Sequence, residues 1–179
     1  MRIVAGERKG MRLKTLKGDE TRPTSEKVKS AIFSRIGPYF PSFVRVAEMF
    51  GGSGNLSLES LSRGATYAYI FEKNPKAMRV IEENITKCRY EQKVTTFKTD
   101  ARHSARLVQK YGEPVSVLFV DPPYDAIEYY DFIHDWIKRE TLTKDAIIVC
   151  EHAKSVELPE AYGSYVCKKR SVYGSSAVS

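Results

Sequence analysis

From residue 43 onward the sequence alternates strand-like apolar stretches with helical ones, and this alternation is the strongest constraint on what the chain can fold into. Residues 43–50 read as a strand that runs into Gly51-Gly52-Ser53-Gly54. A helix carrying Leu56, Leu58 and Leu61 follows and stops near Arg63-Gly64. A second, aromatic-rich strand spans 66–72. Asn74 and Pro75 then open a helix presenting Ala77, Met78, Ile81 and Ile85 at helical spacing, Asn74 as N-cap and Pro75 at the first helical position. Residues 94–99 form a shorter strand, and a helix through Leu107 and Val108 ends at Gly112. Residues 115–120 are the most apolar strand, as a central strand covered on both faces should be. A helix over 128–138 and a strand over 146–150 complete the series. This spacing predicts an α/β fold, a mostly parallel sheet with helices on both faces.

The flanks differ from this core. Residues 162–170 and 171–179 read as two strands joined without a helix, hence an antiparallel C-terminal hairpin at one sheet edge. Pro23 and Thr24 start a helix whose apolar positions are Val28, Ala31, Ile32 and Ile36. Residues 1–22 are short, basic and glycine-punctuated, which predicts a small hairpin or arm ahead of one domain over 23–179. With 179 residues, 42% hydrophobic and 28% charged, the chain suits one globular core and not a disordered tract. The longest apolar run, 115–120, is too short to span a bilayer. Cys88, Cys150 and Cys167 are scattered and form no Cys-x-x-Cys pair, and His103, His134 and His152 lack ligand spacing. No metal site is expected, and the cysteine usage suits a reducing cytoplasm.

The net charge of +7 is unevenly spread. Residues 1–35 hold ten basic and four acidic side chains, so nearly the whole excess sits at one end. Concentrated positive charge points to a polyanion, most commonly nucleic acid, against the plainer reading of a solvated basic face.

Two motifs carry chemistry. The turn Glu48-Met49-Phe50-Gly51-Gly52-Ser53-Gly54 lies between the first strand of the series and its helix, where glycines admit a ligand to the backbone and the helix start offers free N–H groups. Ser57 stands where a dinucleotide fingerprint needs its third glycine, and no Gly-Lys-Ser/Thr follows, so the pyrophosphate reading is weak. Glu72 ends the second strand, where an acid can accept from both hydroxyls of a ribose, and Asp100 ends the third, within reach of an adenine amino group. Taken singly, each acid also reads as a helix cap. Their joint placement at one sheet edge favours a nucleoside with no phosphate demand, with S-adenosylmethionine the leading candidate.

The second motif, Asp121-Pro122-Pro123-Tyr124, follows the most apolar strand, at the strand end where open α/β sheets bind ligands. A strand stop would explain the prolines but neither the acid nor the tyrosine. An exocyclic amine is a poor nucleophile because its lone pair is delocalised into the base. The Asp121 carboxylate and the Pro122 carbonyl can accept its two N–H bonds and aim the lone pair. Pro122 and Pro123 hold the turn still, and Tyr124 offers a face for stacking, worth about 1–3 kcal/mol per base.

These residues resemble the class I S-adenosylmethionine-dependent amino-methyltransferases, which have a Rossmann-like seven-stranded sheet. More narrowly, the chain is similar to the bacterial 16S ribosomal RNA guanine-N2 methyltransferases. The resemblance runs through Arg2-Ile-Val-Ala-Gly6, Arg8-Lys-Gly-Met-Arg-Leu13, Arg22-Pro-Thr-Ser25, Phe50-Gly-Gly-Ser-Gly54, Leu58-Glu-Ser-Leu-Ser-Arg-Gly64, Phe119-Val-Asp-Pro-Pro-Tyr124 and Tyr173-Gly174. It implies that Glu48 through Gly54 line the methionine part of the cofactor, with Glu72 at the ribose, Asp100 near the adenine, and Lys73 and Ala101 as further cofactor-binding positions. Asp121 borders the cofactor and, with Pro122 to Tyr124, holds the target guanine.

The resemblance further implies that Arg22 and Thr24 stand at the active-site rim. Arg2, Arg8, Lys9 and Arg12 would then grip RNA phosphates. The implied partner is 16S rRNA, free or in the assembled small-subunit particle, bound by a cytoplasmic monomer. Glu48 stands where this family carries aspartate, and Gly51 where alanine is common. The motif alone leaves adenine N6, a protein glutamine amide or a non-catalytic RNA-binding role as alternatives.

Overall fold

The computed structural model describes residues 1–16, 25–123 and 125–179. The expected roles of Arg22, Thr24 and Tyr124, and the expected helix start at Pro23-Thr24, fall outside these residues. Helix α1 (Glu26–Ile36) is capped by Ser25, whose hydroxyl accepts from the Val28 amide. Then come β1 (Arg45–Glu48), α2 (Asn55–Ser62), β2 (Tyr67–Phe71), α3 (Pro75–Cys88), β3 (Val94–Phe97), α4 (Ser104–Tyr111), β4 (Val115–Val120), α5 (Ile133–Lys138) and β5 (Leu142–Ala153). The tail holds β6 (Ala161–Tyr162), β7 (Tyr165–Val166), β8 (Ser171–Tyr173) and β9 (Ser176–Val178).

Seven strands form one sheet in the order β3-β2-β1-β4-β5-β9-β8. The first five are parallel, and β9 and β8 are antiparallel. Period-two alternation in the central strands feeds two cores. Val46, Ile70, Val117 and Phe119 face Ile32 and Phe33 of α1, Leu58 and Leu61 of α2 and Ile81 of α3. Ala47, Tyr69, Phe71, Leu118 and Val120 face Ala105 and Val108 of α4 and Ile133 and Trp136 of α5. Asn74 caps α3 through its side-chain oxygen, which accepts from the Lys76 and Ala77 amides.

Three elements depart from the sequence reading. The tail makes two hairpins: β8 and β9 join the sheet edge, while β6 and β7 pair only with each other. Residues 128–138 are not one α-helix. Ile127–Phe132 wind as a 3-10 helix before α5, which brings Tyr129 and Phe132, three residues apart, to 5.7 Å between ring centroids. Strand β5 begins at Leu142, four residues before the apolar run, because Leu142 pairs with Val115. The polar Thr143-Lys144-Asp145 stretch is absorbed in a register shift, with Asp145 at φ 63.

Residues 1–13 double back through the Ile3 amide to Met11 O and the Leu13 amide to Met1 O, with an antiparallel bridge between Arg2 and Arg12. Ile3 and Leu13 are buried against α1 and α2. Gly6 (φ 88) lies so close to α2 that a Cβ there would stand 1.8 Å from the Ser62 carbonyl oxygen.

Candidate active site

The strand order reverses between β1 and β4, and at such a point the two following loops part to leave a crevice at the strands' carboxyl ends. The glycine turn leaves β1 there and Asp121-Pro122-Pro123 leaves β4. The Met49 amide, donating to Phe119 O at 3.1 Å, keeps the two ends side by side. The Gly51 amide donates to Phe71 O, bringing the turn across the end of β2. A Cβ on Gly51 would sit 2.6 Å from Ile70 Cγ2 and 2.7 Å from Ile81 Cδ1, so an alanine here is not a mild change unless both isoleucines yield. Gly52 (φ 58) and Gly54 (φ 78) take left-handed conformations around Ser53.

Glu48 is buried, and its Oε1 accepts from both the amide (3.0 Å) and the hydroxyl (2.7 Å) of Ser57. Gly54, the N-cap of α2, has no side chain to cap the helix, and the Glu48 carboxyl supplies that cap from the neighbouring strand. The same Ser57 that breaks the glycine fingerprint thus receives the acid. Burial pushes the Glu48 carboxyl up to about 7, against the hydrogen bonds from Ser57 and Leu56.

Glu72 spans the turn and the next helix, with Oε1 accepting from the Gly52 amide at 3.0 Å and Oε2 from the Asn74 amide at 2.9 Å. A carboxylate has about four acceptor sites, so each oxygen retains capacity for a ribose hydroxyl. The carboxylate is therefore both oriented and able to receive a nucleoside.

Asp100 does what the plainer reading expected and more. Its Oδ1 accepts from the Arg102 amide as the cap of a 3-10 turn, Ala101–His103, and its Oδ2 accepts from the Tyr129 hydroxyl at 2.7 Å. Burial raises the Asp100 carboxyl, but the Arg102 amide, Tyr129 and the Arg102 guanidinium outweigh it and hold it below its ordinary range. Lys73 Nζ lies 3.9 Å from Oδ2, and Ala101 is buried. Tyr129 also meets Phe50 of the glycine turn edge-on at 5.2 Å. Tyr129 was not singled out from sequence; its signal was the aromatic run after Asp-Pro-Pro-Tyr.

Asp121 is half-buried and Pro122 buried, whereas Pro123 is exposed. The Pro123 carbonyl is taken by the Ala126 amide. The Pro122 carbonyl has no hydrogen-bond donor among the described residues. Asp121 stands near buried Tyr130 and Cys150: after burial, its charge is among the influences raising both groups, the Cys150 thiol to about 12. Tyr130 donates to Glu151 O, joining the Asp-Pro-Pro side of the crevice to β5.

Of the basic residues, Arg2, Lys9 and Arg12 are exposed. Arg8 is half-buried: its Nε donates to Cys88 O, and its guanidinium lies 4.9 Å from the Tyr90 ring centroid. Lys29, counted in sequence within the basic excess, is fully buried. Its Nζ donates to Arg2 O (2.6 Å) and Asn55 Oδ1 (2.7 Å) and pairs with Glu59 Oε1 (2.9 Å). Glu59 also accepts from the Val4 and Ala5 amides and from Arg63.

Asn84 of α3 makes a second tie. Its Oδ1 accepts from the Lys14 amide, and its Nδ2 donates to both Lys14 O and Ser53 O. The N-terminal segment is thereby wired to the residues that form the glycine turn and the start of α2. Among the described residues no His, Cys, Asp and Glu cluster could hold a metal, and no helix is long and apolar enough to cross a membrane.

The parallel sheet with its antiparallel edge, and the crevice where its strand order reverses, define a class I methyltransferase fold. "Putative methyltransferase yhhF from Escherichia coli" superimposes with a TM-score of 0.81 at 27% identity, covering 99% of this chain and 94% of that one. More specifically, the chain belongs to the family described as "Conserved hypothetical protein 95", whose model matches residues 1–179. It is 34% identical over 178 residues to "Putative rRNA methyltransferase YlbH" of Bacillus subtilis, covering 99% of this chain and 96% of that one. It is 25% identical over 177 residues to "Ribosomal RNA small subunit methyltransferase D" of Escherichia coli, covering 99% and 87%.

Proposed function

We propose that this chain transfers a methyl group from S-adenosylmethionine to the exocyclic N2 of a guanine in 16S rRNA of the small ribosomal subunit. One observation carries the reading: a carboxylate oriented by the Gly52 and Asn74 amides and an Asp-Pro-Pro turn whose Pro122 carbonyl has no donor among the described residues flank the crevice where strand order reverses. The names of the Bacillus and Escherichia relatives support an rRNA acceptor.

The bound cofactor supplies an electrophilic methyl carbon. Glu72 holds the ribose, and Lys73, beside Asp100, borders the cofactor. Glu48, Phe50, Gly51, Gly52, Ser53 and Gly54 border its amino-acid part, with Glu48 acting through Ser57 and the start of α2. Asp100 and Ala101 border the adenine, and Tyr129 joins them as a wall of that slot. Asp121 and the Pro122 carbonyl accept the two N–H bonds of the guanine amine and fix its lone pair in line, which is the rate advantage that positioning confers. As the N2–methyl bond forms, the methyl–sulfur bond would break, S-adenosylhomocysteine would leave and one amine proton would pass to solvent. Pro123 stiffens the turn and Tyr124 stacks on the extruded base. Arg2, Arg8, Lys9, Arg12, Arg22 and Thr24 serve the RNA side, Arg8 through its support of the segment.

The test is a tritium-methyl transfer assay on small-subunit particles with wild type and Asp121→Ala. The reading expects a rate loss of several orders of magnitude in the variant, while circular dichroism shows an intact fold. Transfer at the normal rate by Asp121→Ala would overturn the assignment of the acceptor turn.

A further inference from the structure

Arg2, Lys9 and Gly10 of the N-terminal segment face Glu26, Lys27 and Ser30 of α1 across an open groove of about 450 Å³. That volume is within the roughly 300–1,000 Å³ of small-ligand sites. On its α1 side the groove adjoins the first turns of that helix, which are tied to the start of α2. Lys29, in the first turns of α1, reaches Asn55, the first residue of α2 after the glycine turn. Its walls are fixed before any ligand arrives, because buried Lys29 holds Arg2 O from one side and Glu59 holds the Val4 and Ala5 amides from the other. Arg2 is already paired with Glu26 at 3.2 Å. Lys9 and Lys27 are exposed and have no ion-pair partner among the described residues, so the lining has an excess of two positive charges directed at one space.

We infer that this groove seats a phosphodiester of the RNA strand next to the target nucleotide, with Lys9 and Lys27 on the phosphate oxygens and the Ser30 hydroxyl as a further donor. The inference rests on the rRNA reading above and adds Lys27 and Ser30 of α1 to the RNA surface. The backbone that carries Lys9 and Lys27 is already held, so binding need order only their side chains, and a phosphate contact positions the strand without reading its sequence. The ligand is thus a phosphate within a polymer and not free phosphate.

The experiment measures fluorescence anisotropy of a short labelled single-stranded RNA against salt, from about 50 to 200 mM, for wild type, Lys27→Ala, Lys27→Glu and Lys144→Ala. Lys27 is exposed in the first turn of α1, where glutamate suits the helix dipole, so neither substitution threatens the fold. Lys144, exposed near the start of β5 at the other end of the sheet, makes the same change in net charge away from the groove. Loss of one phosphate contact should lower the salt slope by about 0.7 in Lys27→Ala, weaken binding several-fold, and weaken it further in Lys27→Glu. S-adenosylmethionine affinity by calorimetry and the Lys144→Ala slope should stay at wild-type values. Inorganic phosphate at the same ionic strength should compete no better than chloride; competition at millimolar phosphate would mark a free-anion site and overturn the polymer assignment. If both Lys27 variants keep the wild-type slope while Arg12→Ala lowers it, the groove is not on the RNA path and the rRNA reading stands. If wild type binds RNA with no salt dependence, the groove inference and that reading fall together.

Discussion

Replacing Glu48 with glutamine isolates the energetic consequence of capping α2 with a buried acid. The carboxyl sits near 7 in the folded protein against an ordinary value of 4.5, chiefly because burial disfavours its charge. A difference of about 2.5 pH units corresponds to about 3 kcal/mol. The sign follows from proton counting. Between about pH 4.5 and 7 the unfolded chain has released this proton and the folded chain retains it, so stability falls as pH rises through that window and levels off above 7. Glutamine keeps a carbonyl oxygen for Ser57 and cannot ionise. Urea unfolding of both proteins at about pH 5 and pH 8 should therefore show the stability difference shifting by about 2.5 kcal/mol in favour of Glu48→Gln at the higher pH, the rest of the effect having been lost below pH 5. The same difference at both values would refute the claim that a buried, uncompensated acid performs this capping.

Asn84→Ala strips Ser53 O and the Lys14 backbone of their partners and should cost about 2 kcal/mol, or about 4–8 °C in Tm, and weaken cofactor binding in calorimetry. Lys29→Met leaves buried Glu59 with Arg63 as its remaining cation and strips Arg2 O and Asn55 Oδ1 of a donor, and should cost about 3 kcal/mol in urea unfolding. Tyr129→Phe removes a hydrogen bond that keeps the Asp100 carboxyl low, so the Asp100 titration followed by NMR should move upward, toward the ordinary carboxylate range.

The parallel core was readable because residues 46–47, 69–71 and 117–120 carry alternating contacts to two helical layers, and because Asn74-Pro75 and Gly112 punctuate helices by local chemistry alone. The glycine turn and the Asp-Pro-Pro turn were likewise local signals, and the parallel topology brings them to one crevice. What eluded the sequence depends on distant partners. Lys29 looks like one more solvated cation, and only the approach of Glu59, Asn55 and the Arg2 carbonyl makes it a core residue. Asn84 sits on a helix whose apolar pattern gives no hint that its amide bridges Lys14 and Ser53. The longer reach of Glu48 over aspartate could be noted, but its destination at Ser57 is a tertiary fact. Leu142 joins β5 across a polar stretch that periodicity treats as a break.

The central claim is that the rim of this sheet presents a guanine amine for methylation. Small-subunit particles lacking the modification, incubated with the protein and S-adenosylmethionine and then digested to nucleosides, test it by mass spectrometry. The account predicts N2-methylguanosine as the new nucleoside. N6-methyladenosine in its place, or no methylated nucleoside at all, would contradict it.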